Sequence, residues 1–502
     1  MEDKTKKKNT VIKKLKIAGK NIVNMLKKVK INKKVVYVIL GILVLFFLIK
    51  LISPKNIDYP VIFNDSDGDL YLVTTKVKSK DDAVKLATTE TASKVKYANN
   101  TARYVLFQKE ENLYLYDAKK KDETKKILNN IAGTNYYFSD DDKYIIALDE
   151  ANNLKVSNFK EAKKIAGNVN SIIAIKGDYI LYEKENEVYV RHIKPSKDDE
   201  KKVTEKTSFS IKFSEDGKYV LYINNSNELH KYNIKKGKDN KIANSVMSYY
   251  CDKESCDDVY YIVDDAGKNL FFNNGKKDEK IAEDIFSVLA SDVDDKQVVY
   301  TKANGNKFEI YYQKGTKKAA KVDEGLSGVK TLKLLDNEIY YVTSDNKLKF
   351  GKISGAKVSR KLTVSNDVFG YLYEYKKGFA YVTKVDDYYN GELYIAKGGK
   401  AKKIEEKVGS STIKVNKDGD RIYYIKDFGN EGELYYTKGG KGKLVDSKIH
   451  TYEYVRDNLL YLVKDYSSSK ARGDLYRYTN KSVKIADNIS RIASSPVVYK
   501  SK

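Results

Sequence analysis

The 502-residue chain contains no tryptophan, and only four prolines, three histidines, three methionines and two cysteines. So few His and Cys leave little material for metal sites or thiol chemistry. Neither G-x-S-x-G nor H-E-x-x-H occurs, and Gly439-Gly-Lys-Gly-Lys443 lacks the spacing of a phosphate loop. The histidines, His192, His230 and His450, share no motif. The residues therefore point to no catalytic group, metal or cofactor, and the expectation is a protein that is not an enzyme. What is abundant is tyrosine, 43 residues, and lysine, in a chain of net charge +25 with 41% apolar residues. That apolar content excludes a wholly disordered chain.

The charge is uneven. Residues 1–34 carry thirteen Lys against Glu2 and Asp3, so +11 of the +25 lies there and +14 is spread over the rest. Val35 to Ile49 then runs fifteen residues without a charge, and letting Lys50 snorkel extends the stretch to Ile52. At about 1.5 Å per residue, residues 35–52 can form a transmembrane helix, ended by Ser53-Pro54. A cleaved signal peptide is the alternative. The long leading segment and the absence of a small-x-small cleavage site favour an uncleaved signal anchor. Lys27, Lys28, Lys30, Lys33 and Lys34 crowd the N-terminal flank, and Lys50 lies at the other end. This asymmetry predicts a cytoplasmic N-terminus and an extracellular remainder. Within the tail, Val11, Leu15, Ala18, Ile22, Met25, Leu26 and Val29 recur at helical spacing among lysines. Such a basic amphipathic helix would lie on anionic headgroups of the bilayer. A nucleic-acid role is the weaker reading, since the tail lacks stacking aromatics.

Beyond Pro60 the sequence repeats. Strand markers such as Tyr104-Val-Leu-Phe, Tyr219-Val-Leu-Tyr, Ile339-Tyr-Tyr-Val and Ile422-Tyr-Tyr-Ile start 35 to 43 residues apart. A second strand follows about ten residues later, as in Glu392-Leu-Tyr-Ile and Glu433-Leu-Tyr-Tyr, then a short Lys-Ile strand, as at Lys403-Ile404 and Lys484-Ile485. A fourth strand precedes the next marker. Four strands per unit of about 40 residues is the arithmetic of a β-propeller blade. Asp67-Gly68, Asp216-Gly217 and Asp418-Gly419 supply residues that accept positive φ in the turns. A β-solenoid would want shorter, more uniform coils.

The expected fold is thus all-β, one or more β-propellers preceded by a single transmembrane helix and a basic tail. Eleven second-strand markers make eleven units, more than the usual four to eight blades of one ring. A change in turn composition suggests a boundary near residue 245, giving units over 57–245 (five) and 246–502 (six). The segment Ile489–Tyr499 is expected to complete the first blade.

Phe213-Ser-Glu-Asp-Gly-Lys-Tyr-Val-Leu-Tyr222 and Phe138-Ser-Asp-Asp-Asp-Lys-Tyr-Ile-Ile146 resemble the TolB-type, WD40-like propeller repeat, with its FSPDGK-like strand–turn–strand. The resemblance implies a bacterial protein with a binding or scaffolding role and transfers no catalytic residues. Cys251 and Cys256 flank a four-residue loop and are expected to form a disulfide in an extracellular setting. Asn64-Asp-Ser-Asp-Gly-Asp69 reads as a hairpin turn, its glycine misplaced for a calcium loop. Arg472-Gly473-Asp474, the tripeptide of some adhesion ligands, is expected at an exposed turn. Some of the tyrosines could line a ring face and stack on sugars. The functional expectation is a membrane-anchored binding or scaffolding module of the bacterial envelope, its partner an extracellular protein or an anionic polymer. An envelope sensor, or a hydrolase or lyase with its site in the propeller funnel, are the alternatives.

Overall fold

The computed structural model describes residues 60–494, apart from the loop positions 89–93, 99–102, 119–123, 195, 198, 206–209, 253, 266, 377, 417 and 457. The basic tail, the expected membrane segment 35–52 and the flanking lysines Lys27, Lys28, Lys30, Lys33, Lys34 and Lys50 lie outside the described residues. Among the described residues no helix is long and apolar enough to cross a membrane. The one helical element among the described residues is a 3-10 turn, Lys80–Asp82.

The described strands form eight four-stranded antiparallel sheets and one eleven-stranded sheet that divides into three further four-stranded units, giving blades 1–11. In blades 2–9 the chain passes from a first strand to a fourth and then crosses to the first strand of the next. Blade 2 consists of Val95–Tyr97, Tyr104–Lys109, Asn112–Asp117 and Thr124–Leu128. Blades 3–9 begin at Ile131–Phe138, Val169–Lys176, Ile211–Phe213, Val246–Cys251, Ile285–Asp292, Val329–Leu335 and Val368–Glu374. Blade 10 begins at Lys414–Val415. The 14-residue strand Lys443–Arg456 serves as its fourth strand and, further on, as the first strand of blade 11. Blade 1 is assembled from both ends of the chain. Val61–Asn64, Leu70–Val73 and Val84–Ala87 take Arg491–Ser494 as their first strand, with Phe63 opposite Ile492 and Asn64 opposite Arg491.

Packing closes the series. Each blade shares one apolar cluster with the next, and the last returns to the first: Val61, Phe63 and Val73 pack with Leu459, Tyr461, Val463 and Leu475. A cyclic order of sheets sealed by a strand from the opposite terminus is β-propeller connectivity. The fifth and sixth blades meet through Leu221, Ile223 and Leu229 against Val246, Val259 and Tyr261, an interface of the same kind as its neighbours. Residues 58–502 cluster as a single compact unit. No break in packing marks the expected boundary at 245, because turn composition reports local backbone demands and says nothing of which sheets face each other.

The repeated letters have physical roles. The second strand is buried along nearly its whole length, and its tyrosine stacks on an aromatic of the third strand directly opposite. Tyr182 meets Tyr189, Tyr300 meets Tyr311, Tyr381 meets Tyr394 and Tyr424 meets Tyr435, with centroids 5.6 to 6.1 Å apart. Such cross-strand pairs stabilise a sheet by about 0.2–1 kcal/mol each. The acid of the Glu-Leu-Tyr marker accepts from the tyrosine hydroxyl two residues on, Tyr394 to Glu392 and Tyr435 to Glu433 both at 2.9 Å. It also pairs with the lysine of the fourth strand: Glu228 with Lys241 at 2.9 Å, Glu309 with Lys321 at 2.9 Å, Glu392 with Lys403 at 2.8 Å. The same lysines reach an acid three residues on, Lys321 to Glu324 at 2.8 Å and Lys403 to Glu406 at 2.5 Å. These contacts push Glu392 down to about 2, chiefly through Lys403. Lysine on the outer strand also keeps an edge from pairing with another chain.

Asn, Asp or Ser at positive φ precedes the Val or Ile that opens a first strand, as at Asn130, Asn168, Ser245, Asp284 and Asp367. Asn and Asp tolerate the left-handed region better than most other side chains. Arg472–Tyr478 is the third strand of blade 11 rather than an exposed turn. A Cβ at Gly473 would lie 2.7 Å from Val463 Cγ1, Arg472 Nη2 donates to Ser66 O at 3.1 Å and Asp474 pairs with Lys484 at 2.8 Å.

Candidate functional site

The crossings between blades and the hairpins joining second to third strands share one rim. In blades 3, 4, 6 and 9 the first residue of the inner strand donates to the preceding blade's hairpin, as in Val246 N to Asn227 O at 2.7 Å and Val368 N to Asn346 O at 2.9 Å. The other hairpins form the opposite rim. First strands are the inner edge: those of blades 7 and 8 line one 440 Å³ cavity with the end of the blade 6 strand, through Leu289, Ala290, Leu332, Leu334, Cys251 and Asp252.

Four hairpins on the crossing rim are built alike. An Asp or Asn carboxylate or amide oxygen accepts the N–H groups two and four residues on. Asp65 serves Asp67 and Asp69, Asp149 serves Ala151 and Asn153, Asn224 serves Ser226 and Glu228, and Asp386 serves Tyr388 and Asn390. Asx turns of this sort fix the loop backbone. In blade 1 this is the Asn64–Asp69 segment, where Lys80 Nζ lies 2.9 Å from Asp65 Oδ2. Burial, the largest single effect, raises the Asp65 pKa, but the Lys80 contact and the backbone hydrogen bonds together outweigh it and lower the value. A hairpin, with its cation supplied by the chain, is what this segment forms. Among the described residues no group of three or more His, Cys, Asp or Glu is arranged to hold a metal ion.

Aromatic side chains converge on the same rim. The second residue of the first strand points outward, and in three blades it pairs with an aromatic near its own blade's hairpin. Phe286 meets Phe308 at 4.7 Å in blade 7, Phe369 meets Tyr389 at 6.2 Å in blade 9, and His450 stacks on Tyr466 at 3.5 Å in blade 11. Met247 occupies the position in blade 6 and is also exposed. The sequence points to a tyrosine-lined face without its residues, because partners 16 to 22 positions apart meet only through strand register. The usable signal is a residue of the αL crossing, then Val or Ile, then an aromatic: Asp284-Ile-Phe286 and Asp367-Val-Phe369.

Along the inner edge, lysine reaches from one blade onto a tyrosine of the next. Lys96 Nζ lies 3.9 Å from the Tyr137 ring centroid and donates to Thr134 O at 2.9 Å. Lys212 lies 5.1 Å from Tyr249, and Lys414 lies 5.0 Å from Tyr452. Burial lowers Lys96 to about 8 and moves Lys212 in the same direction.

Cys251 and Cys256 sit on the opposite rim as a disulfide, Cα atoms 4.9 Å apart. Cys251 ends the first strand opposite Val259, and Cys256 lies within the following loop at φ +54°. Asp252 holds that loop by accepting from the N–H groups of Ser255, Cys256 and Asp258 at 2.8 to 2.9 Å.

No family model matches the chain, and no curated protein matches it. Among solved structures it is similar to the tricorn protease, at 13% identity over 88% of this chain and 59% of that one, with a TM-score of 0.28. It is also similar to PorZ, a surface component of the type-IX secretion system of Porphyromonas gingivalis, at 11% identity over 79% of this chain and 60% of that one, TM-score 0.25. A computationally designed protein, Ika8, matches at 11% identity over 71% of this chain and 96% of that one, TM-score 0.29. The chain thus spans about three fifths of the length of the first two. The fold assignment rests on strand pairing and blade packing.

Proposed function

We propose that this chain is a membrane-anchored β-propeller of the TolB-type, WD40-like kind that acts outside a bacterial cell as a non-enzymatic binding or scaffolding module. One observation carries the binding role: a single rim gathers aromatic pairs from blades 7, 9 and 11, with Phe286, Phe369 and Tyr389 exposed to solvent. Exposed aromatic surface of this sort marks interaction sites. The partner is an envelope component, whether an extracellular protein or an anionic polymer. The perimeter lysines favour engagement through the rim over charge alone, since outer-strand lysines such as Lys241, Lys321 and Lys403 are already paired with acids. The anchoring reading rests on the apolar run 35–52 and its basic flank.

Two measurements test the proposal. Full-length protein in nanodiscs is incubated with envelope fractions. Retention that is lost on replacing Phe286 and Phe369 by alanine supports the rim, and unchanged retention rejects it. A reporter fused after Lys502 is expected to be active only outside the cytoplasm, and cytoplasmic activity would overturn the topology.

A further inference from the structure

Blade 9 departs from its siblings at one backbone position. The hairpin residue three after the anchoring Asp, Asn or Thr has positive φ in each of five blades: Gly68, Asn152, Asn227, Asn346 and, in blade 9, Tyr389 at +62°. Glycine and asparagine suit that region, whereas a bulky side chain there is an outlier that persists only where its surroundings hold it. The holding is visible. Asp386 accepts from Tyr388 N and Asn390 N at 2.9 Å, and Tyr389 O accepts from Ser410 N at 2.9 Å. The Asn390 amide bridges Phe428 N at 3.0 Å and Phe428 O at 2.9 Å in blade 10.

The ring so placed contributes little to the core. Tyr389 is 63% exposed, Tyr388 80% and Phe369 44%, and Tyr371, next to the positive-φ Gly370, is 77% exposed. Four exposed aromatics belong to this one blade, Phe369 and Tyr371 on its first strand and Tyr388 and Tyr389 in the hairpin between its second and third strands, with Phe369 6.2 Å from Tyr389. A rigid, solvent-facing set of rings is a stacking platform that loses little entropy on binding.

We infer that blade 9 binds an uncharged glycan of equatorially substituted pyranose units, stacked on Tyr371, Tyr388, Tyr389 and Phe369. Such sugars present flat faces of axial C–H groups to aromatic rings and leave their hydroxyls free for the polar rim. The smaller pairs on blades 7 and 11 repeat the display at alternate blades, which suits a polymer of repeating units. Between them stand polar residues, Lys330, Asn346 and Asn430, so the rings form islands rather than the continuous apolar patch that a protein partner buries. Exposed Asp367 and Asp387 flank the blade 9 rings and disfavour an anionic chain at this spot. The inference rests on the binding-module reading and narrows its partner.

The test uses full-length protein in nanodiscs of uncharged lipid, titrated calorimetrically with hexamers of β-1,4-linked glucose and N-acetylglucosamine. Tyr371→Ala and Tyr388→Ala should each weaken binding by about fivefold or more. Leu444→Ala, at an exposed residue on the outer strand of blade 10, should change nothing. Tyr389→Asn should weaken binding while raising the unfolding temperature, because it relieves the left-handed tyrosine; that combination separates a ligand role from misfolding. Equal binding by wild type and the tyrosine variants overturns the inference. Wild type that binds no hexamer yet is retained by envelope fractions also overturns it, leaving the broader reading standing, whereas loss of both rejects the two together.

Discussion

The seam between blades 11 and 1 is where the ring depends on chain termini, and Arg477 is the residue through which to test it. Its Nη1 donates across the seam to Val77 O at 2.6 Å and, less closely, to Thr74 O at 3.3 Å. Arg477→Met keeps the apolar stem and removes the guanidinium. A hydrogen bond from a charged donor is worth about 1.5–3 kcal/mol. Arg477 is half-buried and its second bond is long, so the loss should be about 2 kcal/mol in all. Unfolding entropy near 2.1 cal/mol/K per residue over roughly 440 residues converts this to a fall of about 2 °C. Differential scanning calorimetry of the full chain reads it, with Lys125→Met as the comparison. Lys125 also donates to a neighbouring blade, to Phe159 O at 2.8 Å, but from an exposed position, and its loss should cost under about 0.5 kcal/mol. A seam substitution no more costly than Lys125→Met would refute the argument that this interface closes the ring.

Other consequences are open to measurement. Lys96 has a folded pKa of about 8 because burial disfavours its charge. The unfolded chain holds that proton up to about 10.4, so stability rises with pH between those values and the penalty is fully present below 8. Amine-labelling rates at Lys96, followed by mass spectrometry, should reach half-maximum near pH 8, and a midpoint near 10 would contradict the burial argument. Glu392 is depressed to about 2, first by Lys403. Its contribution is present above its unfolded pKa and is lost as pH falls from about 4.3 toward 2. Glu392→Gln should therefore flatten the acid limb of the stability profile, and an unchanged limb would remove the pair from the account. Replacing Cys251 and Cys256 by serine should cost at most about 2 kcal/mol, the loop being so short, and leave the far-ultraviolet spectrum intact because Asp252 also holds the loop. Global unfolding on reduction would show the disulfide to be more than a local staple.

Much of the architecture was legible because each repeat restates the same local chemistry. The buried Tyr-rich second strand, the Glu-Leu-Tyr third strand and the Lys-Ile fourth strand are partners in one stack and one ion pair, so their letters recur together. The eleven units and the closing C-terminal strand follow from them. Features set by register were not legible. Phe369 and Tyr389 meet across a blade although twenty residues separate them. Gly473 looked like a turn and is instead a strand position where Val463 leaves no room for a side chain. The shift in turn composition near 245 has no counterpart in packing, since Lys-Gly and Asp-Gly turns both satisfy the same need for positive φ.

Closure of the ring by the two ends of the chain is the claim on which the rest stands, and one cross-link tests it. In a background lacking Cys251 and Cys256, cysteines replace Asn64 and Arg491, which face each other on adjacent strands. A protease site is placed in the exposed Lys236-Gly237 turn of blade 5. After oxidation and cleavage, a denaturing gel should show the two fragments still joined, and separating only on reduction. Fragments that separate without reductant would contradict a ring sealed between its first and last strands.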